Sequence, residues 1–202
     1  MQRLYVLLIS LLSLFALSCE SFDEIEYEYY GTCESIIGTI SDQLGKPGQA
    51  GIIFYDKGFY SDGWRYLEVI PSSYEFEAKC GDFSTWDPYI DTKTAIGTGK
   101  RNTEEIIKVL TEKGQKGMAA QLCAALDIDG YNDWFLPSRD ELMAMRYNLH
   151  LRGVGGFGSV FYYSSSLRYY IIITVWGVNF YTGRYSDGWT ILEKRVRAIR
   201  AF

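Results

Sequence analysis

The spacing of hydrophobic and polar positions changes several times along the chain, and those changes divide it. Leu4 to Leu17 is apolar over 14 residues apart from Ser10 and Ser13, with one base, Arg3, before it. Such a run is too short to span a bilayer comfortably, so it predicts a cleaved export signal rather than a membrane anchor. Residues 20–34 hold six acids and no base, the composition of a solvated spacer. The texture changes again after Gly45-Lys46-Pro47-Gly48. Gly51 to Tyr55, closed by Asp56-Lys57-Gly58, predicts a strand, and Trp64 to Ile70, stopped by Pro71, predicts its hairpin partner. Residues 72–101 have no clear period and predict a long loop packed by Tyr74, Phe76, Phe83 and Trp86.

The middle of the chain has helical spacing. Asn102 and Glu105 are placed as a capping box ahead of Ile106, Ile107 and Leu110, and Met118, Leu122, Cys123, Ala125 and Leu126 form a second stripe over 116–126. Ser138 and Glu141 form a full capping box before Leu142, Met145 and Leu149. Strand patterns return at 160–166, 171–180 and 192–202, with 181–184 as a turn. Tyr60-Ser61-Asp62-Gly63-Trp64 recurs as Tyr185-Ser186-Asp187-Gly188-Trp189, which predicts two hairpins with the same tip chemistry. Strands, then helices, then strands predict an α+β domain over 49–202, with its termini paired in one sheet.

Composition narrows the function. A net charge of -5 over 202 residues argues against a nucleic-acid binder, which needs a concentrated basic face. The single histidine, His150, leaves no room for a His-rich metal centre, and at a helix end it reads as a cation favoured by the helix dipole. The 17 Tyr, 11 Phe and 5 Trp are an excess that needs a role, in packing first and in stacking on ligands second. Ala16-Leu17-Ser18-Cys19 resembles the bacterial lipobox, with Ala16 where leucine is usual. It implies a signal peptide over 1–18, a lipidated Cys19 opening a spacer over 19–48, and a lipid-anchored protein of the cell envelope. The acids that follow Cys19 also resemble surface-export signals of some bacterial lipoproteins, which favours the outer membrane or cell surface.

Candidate chemistry is sparse. Asp127, Asp129 and Asp133 lie in a seven-residue Asp/Gly-rich stretch with the oxygen donors that calcium needs, although Ser138 stands where an EF-hand has its last glutamate. The competing reading is a turn in which Asp and Gly serve the backbone. Asp133, Asp140 and Glu141 are carboxylates near a helix start, where capping and the helix dipole explain two of the three without acid-base catalysis. Ser164-Ser165-Ser166 lacks a nucleophile elbow and reads as a strand end. Lys194, Arg195, Arg197 and Arg200 are an anion site if exposed, or partners of acids and aromatics. After lipidation of Cys19, the remaining cysteines suggest one disulfide, Cys80–Cys123, because Cys33 lies in the spacer.

Several ordered segments resemble the C-terminal domain family of the Legionella collagen-like protein. They are Gly63 to Glu68, Ile96-Gly97-Thr98-Gly99, Asp133-Trp134-Phe135-Leu136-Pro137-Ser138 leading into Glu141-Leu142, Gly155-Gly156-Phe157, Tyr163 to Ser166, and Val196 to Phe202. Tyr163 departs from the tryptophan that often precedes the serines, and Tyr169 to Ile173 is unusually apolar. The resemblance implies a C-type-lectin-like fold with long irregular loops and, from the founding protein, adhesion to sulfated host glycans. The expectation is a non-catalytic binding or adhesion domain for glycans or host matrix. An envelope enzyme and a purely structural component are the rivals. Sugars stack on aromatics beside polar loops, so Tyr162, Tyr181, Tyr185 and Trp189 are the candidate ligand contacts.

Overall fold

The computed structural model describes residues 37–39, 41–83 and 89–202. The expectations for residues 1–36, including Cys19 and Cys33, and for Trp86 lie outside the described residues.

The first hairpin joins β1 (Ile52–Ser61) to β2 (Trp64–Val69). Its turn is Asp62-Gly63, both at positive φ (52° and 82°), a conformation in which glycine meets no steric penalty. The turn expected at Asp56-Lys57-Gly58 is instead absorbed within β1. The Asp56 carboxylate accepts from Gly58 N at 2.7 Å and pairs with Arg65 at 2.9 Å, and the register shifts there without ending the strand. A short β3 (Phe76–Ala78) follows inside the predicted loop.

Three α-helices come next: α1 (Gly99–Glu112), α2 (Ala119–Ala124) and α3 (Arg139–Asn148). The C-terminal part forms β4 (Phe161–Tyr169), β5 (Ile173–Asn179), β6 (Tyr185–Trp189), β7 (Lys194–Val196) and β8 (Ile199–Ala201). The class is α+β, with one three-stranded sheet ordered β1-β2-β8 and one five-stranded sheet ordered β3-β7-β4-β5-β6. Among the described residues all strand pairings are antiparallel except β4 with β7. First and last strands share a sheet but, against the expectation, do not pair, because β2 lies between them. Phe202 extends the β8 pairing, its carbonyl accepting from Arg65 N and Tyr66 N at 2.7 and 2.9 Å.

Two apolar clusters hold these layers. One lies between the helices α1 and α2 and the five-stranded sheet, built on Ile106, Leu110, Cys123, Tyr163, Leu167 and Val175. The other joins the three-stranded sheet to α3 through Phe54, Leu67, Leu142, Met145, Tyr162 and Phe180. The Trp134-to-Ser138 segment stitches them together. Phe135 exchanges two backbone bonds with Ile199 (2.8 and 2.9 Å), Leu136 N donates to Thr103 Oγ1 (3.0 Å), and Pro137 O accepts from Ser165 N (2.7 Å). The most specific motif of the sequence is thus a clasp between β8, α1 and β4.

The Ser138–Glu141 capping box forms as expected, with Ser138 N donating to Glu141 Oε2 at 2.6 Å and Glu141 N to Ser138 Oγ at 3.3 Å. Asn102 is no cap. Helix α1 starts three residues earlier, and the buried Asn102 side chain accepts from Lys93 N (2.9 Å) while donating to Lys93 O (2.7 Å) and Ser165 Oγ (3.2 Å). The serine run is not a strand end. Ser164, Ser165 and Ser166 are fully buried in mid-β4, bonded to Trp176 O, Pro137 O and Lys93 O respectively. The two Tyr-Ser-Asp-Gly-Trp copies also part ways: the first makes the β1–β2 turn, whereas the second is strand β6, paired along its length with β5.

Candidate functional site

Strand register brings one set of side chains to a common face of β4, β5 and β6. Opposite Thr174, Trp176 and Val178 of β5 stand Trp189, Asp187 and Tyr185 of β6, and Arg168 of β4 stands opposite Thr174. These positions alternate with those that pack on α1 and α2, so they face the other way. Because β6 is an edge strand, this face has a rim.

The face carries paired charges among aromatics. Arg168 Nη1 lies 3.3 Å from Asp187 Oδ2, which also accepts from Thr174 Oγ1 at 3.1 Å. The Arg168 guanidinium sits 5.1 Å from the centre of the Trp176 ring. Tyr185 meets Trp176 edge-on at 5.3 Å, and the Arg139 guanidinium, buried beside Asp140, lies 4.7 Å from the Tyr185 ring. Burial pushes the Asp140 carboxyl up despite Arg139. Trp189, 60% exposed, closes the row. Along β6 it is two residues, about 7 Å, from Asp187 and four residues, about 13 Å, from Tyr185. Together these groups offer an apolar ring face, donors and acceptors within the span of one or two sugar units.

The expected ligand contacts separate accordingly. Tyr185 and Trp189 share this face. Tyr181 is 76% exposed but lies in the β5–β6 turn, at the opposite end of β6 from Trp189. Tyr162 was misplaced in the expectation. It is fully buried, its hydroxyl donating to Glu75 Oε2 (2.8 Å) and accepting from Gly158 N (2.9 Å), because both faces of β4 are covered where it lies. Trp176, Arg168 and Asp187 were not singled out from sequence. The alternation Asp187-Gly188-Trp189 carried a signal, but it read as a turn.

The remaining candidates are taken up structurally. Asp127 accepts from Gly130 N at 3.1 Å, Asp129 sits in a left-handed turn (φ 53°), and Asp133 is paired with Arg200 at 2.6 Å. With Asp133 paired to Arg200 and the other two serving a turn, no group of three ligating side chains occurs among the described residues. The basic C-terminal cluster is likewise occupied. Arg197 is buried, bonded to Glu75, Ile70 O and Gly155 O, with its guanidinium 4.3 Å from the Phe157 ring, and Arg195 pairs with Glu75 and Glu77. Cys80 and Cys123 are buried, unbonded thiols rather than the expected disulfide. His150 packs on Phe157 and Phe180. Burial first, then Arg146, lowers its pKa, so the neutral ring is favoured rather than the expected cation.

Glu141, next to Asp140, is a fully buried carboxyl near this region. Burial raises its pKa to about 7 even though Ser138 N and Gly97 N donate to it at 2.6 and 2.8 Å. Both oxygens are held by backbone, which leaves it a positioning group without an open side toward ligand. Its folded pKa is raised, so its contribution to stability is full below about 4.5 and is lost as pH rises through about 7. His150 has the opposite sign, its contribution being lost as pH falls through its lowered pKa. Glu141→Gln therefore isolates the first effect. The wild-type minus variant unfolding free energy is expected to fall by on the order of 2–3 kcal/mol between pH 4.5 and 7.5. A difference that stays flat by urea titration across that interval contradicts a raised Glu141 pKa.

Comparison of the chain with known protein families and with curated proteins finds no match. Among the described residues no helix is long and apolar enough to cross a membrane.

Proposed function

We propose that the protein is a cell-envelope lipoprotein, anchored through Cys19, whose α+β domain is a non-catalytic binding module of C-type-lectin-like type for glycans. The observation that carries the binding half is the β4–β5–β6 face, where exposed Trp189 adjoins the half-exposed Arg168–Asp187 pair and the Trp176–Tyr185 contact. A tryptophan face takes the apolar side of a sugar ring, and a carboxylate beside a guanidinium takes its hydroxyls as acceptor and donor. Since Asp187 already neutralises Arg168, the pair favours hydroxyl-rich glycans over sulfated ones. The anchoring half is carried by the apolar run that stops at Cys19.

A glycan array probed with the lipid-free chain tests the binding half. Trp189→Ala and Asp187→Ala are each expected to weaken the best hits at least tenfold, a loss of about 1.4 kcal/mol. No hit at high protein concentration, or hits indifferent to both substitutions, sinks the reading. For the anchor, Cys19→Ala is expected to remove the N-terminal lipid and release the protein from membranes; a variant that stays bound rejects lipidation.

A further inference from the structure

At the end of the five-stranded sheet where Trp189 stands, large apolar side chains face solvent. The β4–β5 tip consists of Tyr170 (81% exposed), Ile171 (75%) and Ile172, and Trp189 is placed beside it by the Thr174–Trp189 pairing. Ile191, also exposed, follows two residues on. Tyr170 and Ile171, consecutive large apolar residues left this exposed at a tight tip, gain little for folding.

We propose that this tip docks on the surface of the bilayer that carries the chain. The proposal goes beyond glycan binding and rests on the anchoring half of the reading above. Three features select a lipid surface as the occupant. Tyrosine and tryptophan beside aliphatic side chains match the membrane–water interface, where an apolar body sits below a polar tip. Arg168, with its guanidinium 6.0 Å from the Tyr170 ring, has its charge engaged by Asp187 at 3.3 Å, so it brings no unpaired charge against the lipid. Finally, only residues 20–36 separate Cys19 from the described domain, a reach of at most about 60 Å. A tether that short raises the local concentration of bilayer surface enough for a small patch to stay engaged. Docking by this end stands β6 upright, with Tyr185 about 13 Å farther from the lipid than Trp189, so that lipid and glycan compete for Trp189.

The test reconstitutes the full mature chain into vesicles of equal parts phosphatidylethanolamine and phosphatidylglycerol, with acyl chains brominated. Wild-type fluorescence minus that of Trp189→Phe isolates Trp189. Bromolipid is expected to quench this signal at least twofold, and Ile171→Asp to abolish the quenching while the protein still floats with the vesicles. Tyr170→Ser is expected to reduce it partially, and both variants should retain the wild-type melting temperature, since neither side chain is packed. Unquenched Trp189 overturns the proposal, as does quenching that Ile171→Asp leaves unchanged. A dimer in sedimentation that Ile171→Asp splits, together with unquenched Trp189, assigns the tip to a second copy and also overturns it. The mass of the N-terminal peptide reports lipidation separately. If Cys19 proves unmodified, the same quenching is read on chain added from solution, where unquenched Trp189 counts against the tip as well as the anchor.

Discussion

Arg200→Met is expected to destabilise the domain by about 3–5 kcal/mol, a large part of the 5–15 kcal/mol typical of a whole domain. The buried Arg200 guanidinium joins three segments. It donates to both oxygens of Asp133 (2.6 and 3.2 Å), to Glu68 Oε1 (2.9 Å) and to Gln49 Oε1 (2.7 Å), and lies 4.2 Å from the centre of the Tyr131 ring. Glu68 is fully buried, and its carboxylate also accepts from the backbone N–H groups of Gln49, Ala50 and Gly51 at 2.8 to 3.3 Å. Removing the arginine leaves that carboxylate charged, buried and without a cation. The cost comes mainly from the stranded charge, so Glu68→Gln added to Arg200→Met should recover part of the loss. Urea unfolding of wild type, both single variants and the double variant measures the coupling. Should Arg200→Met fail to accumulate, Arg200→Lys, which keeps the charge but loses the two-pronged grip on Asp133, is expected to fall between. A loss below about 1 kcal/mol for Arg200→Met contradicts the network's importance.

The second large effect is oxidative. Cys80 follows β3, where its N–H donates to Thr190 O at 2.8 Å, and Cys123 lies on α2, whose first residue bonds to Lys79 O at 2.8 Å. The two thiols are close enough for Cys80 to raise the pKa of Cys123, and burial pushes both far above the ordinary thiol range. Once folded in the reduced state they are protonated and shielded, so thiol reagents should fail to label them without denaturant. If instead an exported chain meets a disulfide oxidant while folding, closing the loop of about 40 residues is expected to add about 4 kcal/mol. That corresponds to a melting temperature roughly 10 °C above the reduced form. Intact mass after alkylation in denaturant separates the two states, and calorimetry of each measures the gain. Oxidised protein that melts no higher than reduced protein means that the bond strains the packing of β3 against α2.

Legibility from sequence followed the range of the interactions. The Ser138–Glu141 cap was readable because its partners are three residues apart, and the β1–β2 hairpin because Asp-Gly marks a turn by local sterics alone. Asn102 was misread because its partners are residues 93 and 165, which no local spacing reveals. The pattern over 192–202 looks like one strand, yet the chain changes sheets between Val196 and Ile199, with the buried Ala198 at the crossing. The second Tyr-Ser-Asp-Gly-Trp had the chemistry of a turn but lies alongside β5, whose pairing demands overrode it. For the candidate face, Tyr185 and Trp189 could be proposed from composition. The Arg168–Asp187 pair beside them depends on a cross-strand register set only in three dimensions.

The position of β8 also matters for how such a chain is made. Strand β2 and the Glu68 carboxylate appear more than a hundred residues before their partners Ile199, Arg200 and Ala201. Pairings so distant in sequence delay closure. A chain made from its N-terminus has the Glu68 acid without its cation and a sheet without its third strand until the far end emerges. Synthesis is thus all but complete before Arg200 can close the native state.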